Sequence, residues 1–202
     1  MSLAKPLATI LESPLVYSAW QSRFRDAKLI PFRRHNDLSR IANVVDVGCG
    51  PGFHARDFEA SEYTGVDINP KYIAYARRKY PGRFVTADVS RELPVPAGSA
   101  DCVFINSLLH HLDDDMVASS MNLAREALSD EGTVHIIDLV LPESRSLART
   151  LARMDRGDHP RPLARWLELF EATFEPVVVE EFAVRAFGLP LWHLVYFKGV
   201  PR

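Results

Sequence analysis

The sequence has few cysteines, no excess of charge of one sign and no long apolar run. Cys49 and Cys102 are the only cysteines among 202 residues, and each lies within an apolar run. They lack metal-ligand spacing and are typical of reduced, buried thiols in a cytoplasmic protein, so we expect no structural metal. The formal net charge of −2 indicates no general attraction to nucleic acid or to anionic membranes.

Other absences narrow the class further. No stretch approaches the roughly 18 apolar residues that a membrane-spanning helix needs. The first twenty residues contain Lys5, Pro6, Glu12 and Pro14, which argues against a signal peptide. Internal repeats and low-complexity segments are also missing. We therefore expect one cytoplasmic domain over residues 1–202, of ordinary composition with 47% hydrophobic and 25% charged residues.

The most informative stretch is residues 43–52, NVVDVGCGPG, where a β-branched run ends in three alternating glycines. Glycine permits positive φ and lets a ligand approach the backbone closely. Pro51 suits the first turn of a helix, so we expect a strand, a tight turn and a helix N-terminus. Such a unit is suited to the polar part of a nucleotide-like ligand.

Apolar runs alternate with helical patterns along most of the chain. Strands are predicted at 44–47, 63–66, 83–87, 101–106 and 133–140, and helices at 70–79, after 113–115, at 144–156 and at 163–170. This alternation predicts a parallel, doubly wound sheet. Two further strands, 174–183 and 191–197, have no room for a helix between them and must be antiparallel. We therefore expect an α/β fold with a mostly parallel seven-stranded sheet that ends in an antiparallel hairpin.

Polar side chains stand where successive strands end. Asp67 follows the first strand by about twenty residues, where an acid can accept hydrogen bonds from a ribose diol. Asp88 ends the third strand and could accept from the amine of adenine, and Asn106 ends the fourth. The carboxyl ends of the strands form the ligand-binding edge of open α/β sheets. An Asp at a strand end is also a common helix cap, so both roles stay open for Asp67 and Asp88 taken singly.

The blocks VVDVGCGPG, YTGVDIN, FVTADVS, DCVFINSLLHHL and LSDEGTVHIIDLV resemble, in this order, the motifs of class I S-adenosylmethionine-dependent methyltransferases. The resemblance implies a Rossmann-like methyltransferase fold and S-adenosylmethionine as cofactor. It also implies the cofactor-binding residues Asp46, Gly48, Cys49, Gly50, Asp67, Ile68, Asp88, Val89 and Asn106. In that scheme the glycines lie against the methionine moiety and Asp46 supports its amino end. Asp67 holds the ribose, Asp88 takes the adenine amine, and Asn106 flanks the sulfonium.

Two alternatives of other classes stay open. A nicotinamide-dependent oxidoreductase would need a third glycine at position 53, where this chain has Phe53, and the closing hairpin departs from its usual sheet. A catalytically silent module that binds S-adenosylmethionine could serve as a regulator or partner. Only a methyltransferase would consume the cofactor and release S-adenosylhomocysteine.

The acceptor side is less clearly patterned. His110 and His111 follow the fourth strand and are candidate catalytic bases for a hydroxyl acceptor, although either could instead cap the next helix. The sequence contains neither the (Asp/Asn)-Pro-Pro-(Tyr/Phe/Trp) motif nor a catalytic cysteine motif, which argues against a nucleic-acid substrate. We expect a small-molecule acceptor, with oxygen the leading choice and nitrogen and carbon open. The sequence does not indicate the oligomeric state.

Two weakly patterned segments could supply the walls of the acceptor pocket. Residues 1–41 form a helical lid in relatives, so Tyr17 and Trp20 are candidate pocket residues, although such aromatics also dock helices on a core. Residues 142–172 form an insertion plus a crossover helix. Within it Arg149 and Arg153 belong to an arginine stripe, 145–156, that could hold an anionic acceptor or simply be solvated.

Overall fold

The computed structural model describes residues 14–59, 61–144, 146–154, 157–186 and 189–202, without the side chains of residues 14–23, 147, 154 and 186. The α-helices are α1 (Pro14–His35), α2 (Pro70–Lys79), α3 (Asp114–Ala127), α4 (Leu147–Met154) and α5 (Leu163–Glu171). The strands are β1 (Asn43–Val47), β2 (Glu62–Asp67), β3 (Arg83–Thr86), β4 (Ala100–Asn106), β5 (Leu128–Val140), β6 (Phe174–Ala186) and β7 (Leu189–Pro201).

The seven strands form one sheet in the order β3-β2-β1-β4-β5-β7-β6. Strands β1 to β5 pair in parallel, whereas β7 is antiparallel to both β5 and β6. The order reverses between β1 and β4, which creates a crevice at the carboxyl ends of these two strands. The α/β fold with a mostly parallel sheet and an antiparallel C-terminal pair is therefore confirmed.

Helices cover both faces of the sheet. We call one side the α1 face, where Phe104 and Ile137 pack with Leu29 and Phe32 of α1 and with residues of α2 and α4. The other is the α3 face, where Val103, Ile105 and Ile136 pack with α3 and α5. Because side chains alternate along a strand, the odd-numbered and even-numbered residues of one strand point to opposite faces of the sheet.

Two helix starts agree with the sequence prediction. The side chain of Asn69 accepts from the backbone N–H of Lys71, and that of Asp113 accepts from the N–H of Met116. Strand β5 begins five residues before the predicted Thr133, because Leu128 is buried and pairs with Ala100. Helix α4 is described only over Leu147–Met154, and residues 145, 155, 156 and 188 of the predicted elements lie outside the described part.

The helix expected at Pro51 is wrong. Gly52 has φ of 80°, which ends the strand-to-loop turn in the left-handed region, and only a short 3₁₀ helix, Phe53–Arg56, follows. A Cβ at Gly52 would lie 2.8 Å from the side chains of Ala76 and Phe84, so α2 and β3 approach this backbone closely. Within the described residues, no helix is long and apolar enough to span a membrane.

Candidate functional site

The glycine loop after β1 is held over the end of β2 by its own backbone. The N–H groups of Gly48 and Cys49 both donate to the carbonyl of Val66, at 2.8 and 3.0 Å. Gly48 and Gly50 have φ values of 75° and 54°, which favour glycine. A Cβ at Gly48 would lie 2.8 Å from Leu108, whereas one at Gly50 would meet nothing within 4 Å. The loop therefore presents bare backbone to an open space.

Asp67 joins this loop to the end of β2. One of its carboxylate oxygens accepts from the N–H of Gly50 at 2.8 Å, and the other accepts from the N–H of Asn69 at 2.8 Å. Burial raises the pKa of Asp67 above its ordinary value, against these two hydrogen bonds. The neighbouring Ile68 is 66% exposed, which is unusual for a large apolar side chain. The pair offers an acceptor and an apolar surface side by side at the sheet edge.

Asp88 lies just beyond β3 and caps its own turn. One carboxylate oxygen accepts from the backbone N–H and the hydroxyl of Ser90, at 3.1 and 2.7 Å. These hydrogen bonds from Ser90 hold the pKa of Asp88 below its usual range. The other oxygen lies 3.3 Å from the guanidinium of Arg91, and Val89 beside it is buried. The carboxylate thus stabilises a turn, and no helix begins at this residue.

Asp46 lies behind the glycine loop rather than in the wall of the pocket described next. It is 1% exposed and accepts a hydrogen bond from the hydroxyl of Tyr63. Burial raises the pKa of Asp46 to about 6, opposed by the nearby His54 imidazole and by the Tyr63 hydrogen bond. A contact of Asp46 with a ligand in the pocket would therefore have to be indirect.

A pocket opens above the glycine loop, between α1 and the end of β4. Gly48, Cys49, Gly50 and Asn106, all predicted to bind cofactor, line its wall. The wall also contains residues that the sequence did not indicate: Arg25, Pro51, Phe53, His54 and Ser107. Arg25 donates through Nη1 to the carbonyl of Phe53 at 3.4 Å, while its buried Nε has no hydrogen-bond partner among the described residues.

His54 is the imidazole that faces this pocket. Its Nε2 lies 2.8 Å from Nδ2 of Asn106, and its Nδ1 lies 3.3 Å from a carboxylate oxygen of Asp57. Ser107, with φ of 55°, donates to the side chain of Asn106 and accepts from Nζ of Lys28, both at 3.0 Å. The sequence signal was faint: a His and an Asp three residues apart, directly after the glycines.

The predicted bases His110 and His111 lie elsewhere. His110 is 4% exposed, and its Nδ1 lies 2.6 Å from a carboxylate oxygen of Asp138, which is fully buried on the α3 face. Burial would raise the pKa of Asp138, but the His110 imidazole and the N–H groups of Leu139 and Leu109 hold it below its usual value. The exposed His111 packs its ring against His110, with centroids 4.2 Å apart. Neither histidine lines the pocket, which opens on the α1 face.

Within the arginine stripe, the structure shows contacts of one guanidinium with the protein's own backbone. Arg149, a predicted substrate contact, donates through Nη1 to the carbonyls of Pro142 and Glu143, and this places its guanidinium on its own loop. Arg153 is exposed on α4. The side chains of the predicted pocket residues Tyr17 and Trp20, and the whole of Arg145 and Arg156, lie outside the described part.

Arg161 is a structural residue. It is 6% exposed, donates to Asp114 at 2.6 Å and to the carbonyl of Leu112 at 2.7 Å, and stacks over the ring of Trp166. Arg165 pairs with the same Asp114. Among the described residues, no group of three or more His, Cys, Asp or Glu side chains could hold a metal ion.

Comparisons with known proteins agree with this geometry. A family model described as "Methyltransferase domain" matches residues 44–132. The trans-aconitate 2-methyltransferase of Klebsiella pneumoniae (strain 342) is 32% identical over 147 residues, which cover 65% of this chain and 57% of that protein. That of Delftia acidovorans is 26% identical over 176 residues, covering 79% and 64% respectively. The chain thus spans less than two thirds of the length of these curated relatives.

Solved structures support the fold. A protein from Pyrococcus horikoshii OT3 superposes with a TM-score of 0.72 at 18% identity, covering 91% of each chain. An S-adenosylmethionine-dependent methyltransferase from Mesorhizobium loti superposes with a TM-score of 0.68 at 21% identity, covering 85% of this chain and 97% of that one. At these identities the likeness concerns the fold alone, and the predicted Rossmann-like methyltransferase fold is confirmed.

Proposed function

We propose that this member of the class I S-adenosylmethionine-dependent methyltransferases transfers the cofactor's methyl group to an oxygen atom of a small-molecule acceptor. The observation that carries the proposal is the junction of β1 and β2, where Asp67 accepts from the N–H of Gly50 below an open space. This junction places bare backbone, a carboxylate and an exposed apolar side chain at one sheet edge. The family match over residues 44–132 supports it.

The residues present fit the cofactor. Gly48, Cys49 and Gly50 would hold the methionine moiety, because the open space over Gly50 leaves room for it. Asp67 would accept from the ribose hydroxyls while Ile68 covers one side of the adenine ring. Asp88 and Val89 would border the adenine amine, and Asn106 the reacting end. Asp46 would act on the amino end from behind the loop.

When bound, S-adenosylmethionine supplies an electrophilic methyl group on a positively charged sulfur. The chain's contribution is then to hold an acceptor oxygen in line with that methyl and to exclude water. Asn106 and Ser107 stand at the end of β4, on the pocket wall, where such an oxygen would approach. His110, which the sequence suggested as a base for a hydroxyl acceptor, lies with Asp138 and His111 outside the wall of this pocket and has no part in this proposal.

An anionic acceptor is supported by the charge of the pocket wall. Arg25 lines the pocket with an unpaired Nε, and Lys28 of the same helix reaches Ser107. A carboxylate matches such cations and is already deprotonated, so its methylation needs no base. The relatives from Klebsiella pneumoniae and Delftia acidovorans are named for trans-aconitate, a polycarboxylate. In this proposal Arg25 takes the place that the sequence suggested for Arg149 and Arg153.

Calorimetric titration of the purified chain with S-adenosylmethionine, S-adenosylhomocysteine and NAD tests the cofactor. Saturable binding of the two adenosyl compounds and no heat with NAD is the expected result, and the reverse would contradict the proposal. Release of S-adenosylhomocysteine across a panel of carboxylates and hydroxyl compounds, beginning with trans-aconitate, tests the activity. Binding without turnover of any acceptor would favour the silent regulatory module.

We further propose a reducing compartment, such as the cytoplasm, as the site of action. Cys49 and Cys102 are both free, buried thiols. Such thiols are typical of proteins that fold and work in a reducing environment.

A further inference from the structure

A chain of hydrogen bonds crosses the pocket wall, and its direction can be worked out from one end. The ammonium of Lys28 can only donate, so Ser107 Oγ accepts from it at 3.0 Å. The hydroxyl of Ser107 donates in turn to Oδ1 of Asn106 at 3.0 Å. The amide of Asn106 thus presents Oδ1 to Ser107 and its Nδ2 to the opposite side.

The orientation of Asn106 fixes the protonation of His54. Nδ2 of Asn106 is a donor and lies 2.8 Å from Nε2 of His54, so Nε2 must be an unprotonated acceptor. A neutral imidazole then carries its hydrogen on Nδ1, which donates to Asp57 at 3.3 Å. Every donor in this row of hydrogen bonds thus points the same way, from Lys28 towards Asp57. In such an arrangement successive hydrogen bonds polarise one another.

Both ends of this chain are fastened to the same helix. Arg33 of α1 lies 2.7 Å from the second carboxylate oxygen of Asp57. Burial would raise the pKa of Asp57, but its hydrogen bond from His54 and the Arg33 guanidinium hold it below its usual value. Lys28, at the other end, lies five residues earlier on α1. The helix therefore supplies a cation at each end and leaves His54 and Asn106 in the middle.

We propose that His54 is a positioning residue: held by Asp57, it orients the side-chain amide of Asn106 at the pocket wall for ligand binding and methyl transfer. The proposal rests on the proposed function for the identity of the ligand, but its structural part concerns the protein alone. Asn106 and Ser107 both line the pocket, so an error in the orientation of the amide would be transmitted directly to whatever binds there.

The first test is spectroscopic and needs no ligand. Nitrogen-15 NMR of the full chain near neutral pH should show His54 as the Nδ1–H tautomer, which is the minor form of imidazole in water. The spectrum of the His54→Gln variant lacks the His54 signals, so comparing it with wild type distinguishes them from those of His110. An Nε2–H tautomer at His54 would overturn the proposal.

The second test uses two substitutions that each preserve one half of the imidazole. His54→Gln keeps an acceptor near the Nε2 position for Asn106, whereas His54→Asn keeps a donor near the Nδ1 position for Asp57. We expect His54→Gln to bind S-adenosylhomocysteine within threefold of wild type, and His54→Asn to bind about tenfold more weakly, as one misplaced hydrogen bond predicts. Equal affinities in the two variants would overturn the proposal, provided both melt as wild type does.

The two proposals fail in different ways. If wild-type chain binds no S-adenosylhomocysteine, the proposed function fails, and the tautomer measurement still decides the orientation of the chain of hydrogen bonds. If wild type binds and the Nδ1–H tautomer is absent, only the role of His54 is lost. Should either variant fail to fold, the measurement on wild type remains decisive.

Discussion

Removing the hydroxyl of Tyr63 should destabilise the protein by an amount that depends on pH. Tyr63→Phe keeps a ring that is 5% exposed among Phe58 and Phe84 and removes only the hydrogen bond to Asp46. Asp46 is 1% exposed, and burial raises its pKa to about 6. The pKa of an Asp carboxyl in the unfolded chain is about 3.9.

The sign follows from which state binds the proton more tightly. Folding raises the pKa of Asp46 by about 2, so the folded protein holds the proton more strongly and the free energy of unfolding falls as pH rises from about 4 to about 6. Ionising Asp46 in the folded state therefore costs about 3 kcal/mol by pH 8. The Tyr63 hydrogen bond stabilises the carboxylate by about 1.5–3 kcal/mol and the neutral acid by about 1 kcal/mol.

Urea unfolding at pH 5 and pH 8, followed by tryptophan fluorescence, measures the difference. We expect Tyr63→Phe to lower the free energy of unfolding by about 2 kcal/mol at pH 8 and by about 1 kcal/mol at pH 5. Tyr196→Phe is the matched control, because its hydroxyl accepts from Asn36 at 2.8 Å and lies 3.0 Å from Nδ1 of His135, and no carboxylate among the described residues bonds to it. Burial lowers the pKa of His135 to about 3, so this imidazole is neutral at both pH values. The cost of Tyr196→Phe should not change with pH. An equal cost of Tyr63→Phe at both pH values would refute the reasoning.

Three other substitutions test separate features. Ile68→Ser should weaken S-adenosylhomocysteine binding about tenfold by calorimetry without lowering the melting temperature, because an exposed side chain loses only its ligand contact. The control is Ile30→Ser, also at an exposed position, which should leave the affinity unchanged. Arg161→Met should cost about 2–4 kcal/mol in urea unfolding, since it removes the donor to the buried carbonyl of Leu112 and one of the two guanidinium partners of Asp114; a cost below 1 kcal/mol would contradict this role. Asp113→Ala should cost about 1 kcal/mol, because the N-cap bond to Met116 is lost, whereas Asp115→Ala should be nearly neutral.

The sheet was predictable because its determinants are local. Strand and helix periods alternate within short windows, and a parallel pair cannot be joined without a crossover. The starts of the helices at residue 70 and after the acidic residues 113–115 were likewise predicted from a few neighbouring residues. The 3₁₀ helix after Gly52 was missed because the expected helix start depended on Pro51. The left-handed conformation of Gly52 and the close approach of α2 and β3 are features that this local pattern does not contain.

The pocket wall was only half predictable, for a physical reason. The glycine loop and Asn106 lie at strand ends, whose position follows from the sheet. Arg25 lines the pocket and Lys28 reaches Ser107 in its wall because Leu29 and Phe32 bury α1 against the sheet. The amphipathic pattern of a helix does not indicate which strands the helix crosses. The burial of Asp46 behind the loop is likewise a tertiary property that no motif contains.

Two of the imidazole–carboxylate pairs among the described residues, His54–Asp57 and His110–Asp138, lie on opposite faces of the sheet. In the pair on the α3 face, Asp138 accepts from His110 and from the N–H groups of Leu109 and Leu139. Asp138 therefore links the turn after β4 to the end of β5. A proton taken up and released by His110 would disturb these hydrogen bonds in each reaction cycle. In the pair on the α1 face, His54 lines the pocket and contacts Asn106 of the same wall, with Asp57 behind it.

A base that serves an acceptor must meet it, and among the described residues only His54 of these two imidazoles stands in the pocket wall. However, Nε2 of His54 already accepts a hydrogen bond from Asn106. Neither of these two imidazoles lies in the pocket with a nitrogen lone pair available to take a proton. The arrangement is therefore better suited to an acceptor that is already deprotonated than to a hydroxyl. The lack of an available base therefore favours a carboxylate acceptor, which the cations Arg25 and Lys28 also favour.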